Sequence, residues 1–450
     1  MAVLGGGIVV ALVQRSIPED PADLFKQALA AADKQDGDTV RAAAEKLSAY
    51  PDFATKKKFL DGMLQLGSSR PLKAIVLFKE ASEEPEIRTR SLMMLGSAYA
   101  QSEDLKRAVE TFELVLKEDE DSSDARFRLA SVYKEMLAFD LSLSYLGVLI
   151  KDEYRTAECS RMRGDILFDR RQFAEAATDY EAAIGADKNN PMNSVLAERL
   201  IQCLLKVGDL KKAEEYVDLV DQTSARSFFE AEKHLQSGDL AKLGVIVESL
   251  QKNATFDPRS YVLYGRRMLK EGTADKAAEG LAGLKAGLRF VTRNAELFQI
   301  VADLARVVGD EKLATAAQGN IDQLQALDKE FLNQLAVVSK TQEGYEERLK
   351  LAQLSHETGQ LDFSSRVYDS MTHAYPDKAP ELTQLKDQIY TVLPPLVPLP
   401  ISAEQESAAP ANATGESKEG TNPPALNTET PSPLSEPAQG SDATPATEAK

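Results

Sequence analysis

The chain holds three histidines, His234, His356 and His373, and two cysteines, Cys159 and Cys203. A tetrahedral metal site needs three or four such ligands at short helical or loop spacings. No two of these histidines have that spacing and no cysteine lies beside one, so no metal is expected. Two cysteines make no disulfide framework; both fall in helical patterns and read as reduced, buried thiols. The acidic run Glu118-Asp119-Glu120-Asp121 lacks the glycine and terminal glutamate of a calcium loop. No nucleophile elbow, phosphate-cradling glycine loop or paired-histidine zinc motif occurs. Carboxylates are abundant, but abundance does not position an acid against a base. No catalytic residue and no cofactor is assigned, and an enzyme is not expected.

One stretch imitates chemistry. "VLGGGIVV" sets Gly5 and Gly7 as in a dinucleotide-binding turn, but Val10 stands where the third glycine must allow close helix–strand packing. A helical pattern follows in place of a second strand, so the dinucleotide reading fails. Residues 1–13 are apolar or glycine, and Gln14 and Arg15 end the run. Thirteen helical residues cover about 20 Å, short of the roughly 30 Å of hydrocarbon. No basic residue precedes the run. We expect the remnant of a single-pass N-terminal anchor, completed by an earlier start, and a membrane-associated protein. A cleaved signal peptide and an ordinary N-terminus are the alternatives.

The elements that would position any site are helical. The 450 residues carry 71 acidic and 53 basic side chains, a net charge of −18 that argues against a nucleic-acid partner. After Tyr390 the composition changes: the last 60 residues hold 11 of the 20 prolines, eight acids and two bases, and no aromatic residue. Such a segment cannot bury enough apolar surface to offset its ordering entropy. We expect residues 393–450 to be a disordered, acidic tail, with "LPPLVPLP" reading as a solvated linker capable of polyproline II.

Between these ends the sequence repeats. Gly62, Gly96, Ala130 and Gly164 stand 34 residues apart, and Ala74, Ala108, Ser142 and Ala176 keep the same step. So do Phe78, Phe112, Leu146 and Tyr180, and then Ala81, Val115, Leu149 and Ala183. Small and large residues held in register over four copies predict a helical hairpin as the unit. Glycine costs about 1 kcal/mol relative to alanine in a helix, so its recurrence needs a packing reason. The large residues are expected to fill the space between neighbouring hairpins. Later copies are marked by Gly208, Gly238, Gly272, Gly309 and Gly359 at the turn between paired helices, and by Ala213, Ala277 and Ala314 at the small site. The first copy places Gly37 at its turn, after Asp20-Pro21 as N-cap and first helical residue. Leu324, Leu327, Phe331, Leu335 and Val338 predict an extra amphipathic helix.

This pattern resembles the tetratricopeptide repeat. A copy starting at Thr89 supplies Leu92, Leu95, Gly96, Tyr99, Ala108, Phe112 and Val115 at the motif positions; Glu120 replaces the motif proline, which Pro376 supplies in the last copy. The resemblance covers roughly residues 20–392, most clearly 55–190, and implies an all-α solenoid of about ten helical hairpins with a closing helix. It also implies a concave face lined by the first helix of each hairpin. On that face it places Arg90, Met93, Met94 and Ser97, then Phe127, Arg128, Ser131 and Lys134. Arg161, Met162, Asp165 and Phe168 come next, then Arg199 and Gln202, then Phe228 and Phe229. Met93, Ser97, Arg128, Glu158 and Met162 do not match the family's clamp for C-terminal carboxylates. The mixed Arg, Met and aromatic lining suits an apolar peptide or helix bearing some negative charge.

The expectation is thus a non-catalytic scaffold or adaptor that binds an unidentified protein through Arg90, Met93, Met94, Phe127, Arg128, Arg161, Met162, Phe168 and Arg199. It would be tethered to a membrane through residues 1–19. A self-associating structural protein of the cell envelope, a homo-oligomer, is the alternative.

Overall fold

The computed structural model describes residues 20–400 apart from 222, 254–256, 290, 392 and 394, and every regular element among the described residues is helical. The chain divides into two compact units, Met1–Asp121 and Ser122–Lys450.

The first unit holds three hairpins: α1 (Pro21–Ala32) with α2 (Gly37–Leu47), α3 (Ala54–Gly67) with α4 (Pro71–Ala81), and α5 (Arg88–Gln101) with α6 (Leu105–Glu118). Asp20 caps α1 by accepting from the Ala22 amide at 2.9 Å, and Pro21 opens the helix as expected. The core is continuous from hairpin to hairpin: the Phe25 and Phe59 rings meet edge-on at 6.2 Å, and Phe59 lies 5.7 Å from Phe78.

The second unit continues with α7 (Ser123–Glu135) and α8 (Phe139–Lys151), α9 (Thr156–Asp169) and α10 (Phe173–Ala186), and α11 (Asn193–Val207) and α12 (Leu210–Glu214). Then come α13 (Thr223–Ser237) and α14 (Leu240–Asn253), α15 (Pro258–Glu271) and α16 (Ala274–Gly287), and α17 (Ala295–Val308) and α18 (Glu311–Val338). The last pair, α19 (Tyr345–Glu357) and α20 (Leu361–Ala374), is followed by the closing helix α21 (Ala379–Gln388). The expected extra amphipathic helix is not separate. It is the second half of α18, which runs 28 residues without a break and buries Leu324, Phe331, Leu335 and Val338.

The 34-residue spacing has a local cause that differs from the expected one. The large residue of each copy fills a notch within its own hairpin. A Cβ added at Gly62 would lie 2.7 Å from the Phe78 ring, one at Gly96 2.6 Å from Phe112, and one at Gly164 3.0 Å from Tyr180. Where alanine replaces the glycine, a serine ties the helices instead. Ser142 Oγ donates to the Ala130 carbonyl at 2.7 Å, and Ser364 Oγ to the Ala352 carbonyl at 2.8 Å.

The turn inside a hairpin follows one rule. A residue in the left-handed region ends the first helix, and in several hairpins the next side chain caps the second. Gly208, Gly238 and Gly309 have φ of 82°, 79° and 78°. Asp209, Asp239 and Asp310 follow and accept from the amides of Lys212, Lys242 and Leu313 at 3.0, 3.2 and 3.0 Å. Gly37 does not serve its turn as expected: it begins α2, and Gln35, with φ 59°, takes the left-handed position.

Two further expectations change. No helix among the described residues is long and apolar enough to cross a membrane, so the single-pass anchor and the membrane-associated placement are withdrawn; residues 1–19 themselves lie outside the described residues. The segment expected to be solvated from residue 393 is instead packed at its start. Leu396 and Leu399 lie against the core of α15–α18, and the Thr292 hydroxyl donates to the Leu393 carbonyl.

The second unit also folds back on itself. Leu137, Phe139, Leu146, Met162 and Ile166 share one core with Phe331, Leu335, Leu351, Phe363 and Tyr368. Arg348, 1% exposed, donates to the carbonyls of Met136 and Thr341, and the Asp140 amide donates to the Ser339 carbonyl at 2.9 Å.

Candidate functional site

In the first unit, α5 carries Arg90 exposed, with Met93 and Met94 half-buried beside it. The charged cluster of the second unit lies on α7, α9 and α11.

There Asp165 on α9, 8% exposed, collects charge from three helices. It accepts from Lys134 Nζ of α7 at 2.7 Å, from Arg199 Nη1 of α11 at 2.7 Å and from Arg161 Nη1 of its own helix at 3.4 Å. The Tyr180 hydroxyl of α10 donates to it at 3.0 Å. Burial pushes the Asp165 carboxyl up, but Lys134, Arg199 and Arg161 outweigh it and hold the group well below the usual carboxylate range. Burial and the Asp165 charge together push the Tyr180 hydroxyl up.

Asp169, one turn further along α9, is gripped bidentately by Arg366 of α20 at 2.7 and 2.9 Å. Burial pulls the Arg366 guanidinium down, and Asp169 more than restores it; Arg366 also lies within the fields of Arg199 and Asp165. Four cations therefore share two carboxylates. The neighbouring Arg170 and Arg171 are already paired, with Asp140 and Asp328. Arg199 and Arg366 each leave 44% of the side chain open to solvent.

Aromatic rings lie on the same helices. Phe127 on α7 lies 4.8 Å under the Arg155 guanidinium and 6.5 Å from the Tyr154 ring. Phe168 stands edge-on to Phe173 at 5.6 Å and lies 5.9 Å from the Arg199 guanidinium. Arg128 is half-buried on α7.

Of the residues expected to line the face, the structure thus brings Arg161 and Arg199 together at Asp165, with Phe168 beside them. Met162 is corrected: it is 3% exposed and belongs to the core shared with α18–α20. Phe228 and Phe229 are likewise core, at 4% and 1% exposed. The sequence reading missed Asp169 and Arg366. No local pattern marks them, because the pair is 197 residues apart in the chain and forms only when α20 returns to α9.

The titratable groups outside this network offer little chemistry. Both cysteines are free and buried, and burial pushes each thiol up to about 12. Among the described residues no group of three or more His, Cys, Asp or Glu side chains is arranged to hold a metal ion.

Stacked helical hairpins with a glycine–aromatic notch define a helical-repeat protein. The family profile of the tetratricopeptide repeat-like domain matches residues 70–212, and the chain carries such a domain there. The chain is 23% identical over 332 residues to DnaJ homolog subfamily C member 3 of Gallus gallus, a match covering 72% of this chain and 60% of that relative's length. Among solved structures it is similar to a tetratricopeptide repeat protein from Parabacteroides merdae, at 13% identity and a TM-score of 0.35, covering 56% of this chain and 98% of that one. It is also similar to a Rap protein complexed with competence and sporulation factor, at 13% identity and a TM-score of 0.36, covering 83% of this chain and 98% of that one.

Proposed function

We propose that this protein is a non-catalytic adaptor that binds an acidic segment of a partner protein on the face formed by α7, α9 and α11. The observation that carries the reading is the number of cations: Lys134, Arg161 and Arg199 bond Asp165, and Arg366 bonds Asp169. In a chain of net charge −18, a local cluster of cations is the place where an anionic ligand is favoured. Phe127 and Phe168 add apolar contact on the same helices, the residue type that anchors protein interfaces.

The test is fluorescence anisotropy of the full chain with a labelled peptide of alternating glutamate and leucine. The double variant Arg161→Ala/Arg199→Ala should bind it at least tenfold more weakly than the wild type, and wild-type binding should weaken with added salt. Equal binding by both proteins, with far-UV circular dichroism unchanged, removes this face from the account.

A further inference from the structure

A second site lies apart from the cationic face, on α18 and the segment before α17. Asn320 of α18 is completely buried. Its side-chain amide holds one residue of the proline-rich segment at two points: Nδ2 donates to the Val397 carbonyl at 2.8 Å, and Oδ1 accepts from the Val397 amide at 3.0 Å. Nδ2 also donates to the Ala316 carbonyl at 3.0 Å, so the amide is fully used on backbone atoms. Beside it, Gly319 leaves room for the Val397 side chain; a Cβ there would stand 3.0 Å from Val397 Cγ2. Thr292, 5% exposed, donates to the Leu393 carbonyl, and Leu396 and Leu399 rest on the apolar core to either side.

Simple packing would not select these residues. A buried amide without partners costs about 1–3 kcal/mol, and an apolar side chain at residue 320 would cover the helix at no such cost. Glycine inside α18 costs about a further 1 kcal/mol relative to alanine. Asn320 and Gly319 are instead what is needed to read both backbone groups of one residue and admit its branched side chain. The segment itself suits such a reader: Pro395, Pro398 and Pro400 have no N–H to satisfy and restrict the chain's freedom, which lowers the cost of ordering it.

We propose that Thr292, Gly319 and Asn320 form a binding site for proline-flanked apolar peptides of other proteins, and that the chain's own Leu393 and residues 395–400 occupy it as a tethered competitor. The clamp touches backbone atoms that any such peptide offers. The tether from α21 gives the chain's own segment a high effective concentration, so a peptide arriving from outside must compete with it.

The probe is a fluorescein-labelled synthetic peptide with the sequence of residues 393–400, added to the full chain. Val397→Asp puts a charge into the apolar notch and releases the chain's own segment. This variant should bind the probe at least tenfold more tightly than the wild type, and adding Asn320→Ala should abolish that gain. The proposal is overturned if Val397→Asp only lowers the melting temperature without gaining affinity, or if Asn320→Ala leaves the gain intact. It is also overturned if the wild type dimerises with concentration in light scattering in place of binding the probe, which would assign the site to a second copy. A measurement on the wild type needs no variant: millimolar unlabelled peptide should speed deuterium exchange at the Val397 amide, and an unchanged rate overturns the proposal.

Discussion

Asp165 shows how one side chain can decide a site. Alone, a carboxylate this buried would be driven toward protonation. Three cations from α7, α9 and α11 reverse that. Its folded-state pKa is depressed. Its contribution to stability is therefore present above the unfolded carboxylate value of about 3.9 and is lost as pH falls through the folded value. Urea denaturation should show the wild type losing stability from about pH 4 downward. Asp165→Asn leaves the cations without their shared anion. We expect it to cost about 3–5 kcal/mol at pH 7, with the gap to wild type closing in acid. A gap that stays constant between pH 7 and pH 2.5 would show that the charge of Asp165 does not support the fold.

At the level of elements, the glycine–aromatic notch sets how closely two helices of a hairpin approach. Gly96 and Phe112 are the tightest of the three pairs at the 34-residue spacing, and Gly147 on α8 is the control, because a Cβ there meets nothing within 4 Å. Gly147→Ala should stabilise the chain by about 1 kcal/mol through helix propensity alone. Gly96→Ala makes the same propensity gain but must displace the Phe112 ring, and overpacking of this kind costs about 1–3 kcal/mol. Opposite signs in chemical denaturation are the expected result; two stabilising substitutions would mean that the notch does not set the helix spacing. The turns obey a similar economy. Glycine takes the left-handed position at 208, 238, 272, 309 and 359, while Ser69, Glu103, Leu137 and Arg171 adopt it in the earlier hairpins at some backbone strain.

In a simple helical repeat array each unit touches only its neighbours, and stability is nearly a sum over units. The second unit departs from that. α18, α19 and α20 return to α7–α9, and Arg348 binds two turns at once, one of them 212 residues away at Met136. Arg348→Met keeps most of the volume but orphans both carbonyls, at about 1–3 kcal/mol each. Hydrogen exchange should then rise at residues 136–140 as well as around 341, in step. Loosening confined to α19 would show that the two turns are not coupled through this arginine.

The hairpin repeat, its helical class and its turns were legible in the sequence because they depend on contacts sixteen residues apart or fewer. Gly96 and Phe112, or Asp310 and Leu313, meet whenever their hairpin or helix forms. The sequence reading also selected Arg161, Arg199 and Phe168, because the resemblance to the repeat family implies that they share one face. It could not foresee that Met162 is core, or that Arg366 completes the charge network. It did not foresee that a proline-rich segment read as solvated lies clamped on Asn320, 77 residues away. Those outcomes depend on where the last helices return. That return is set by the length of α18 and by side chains that match only after the whole second unit has closed.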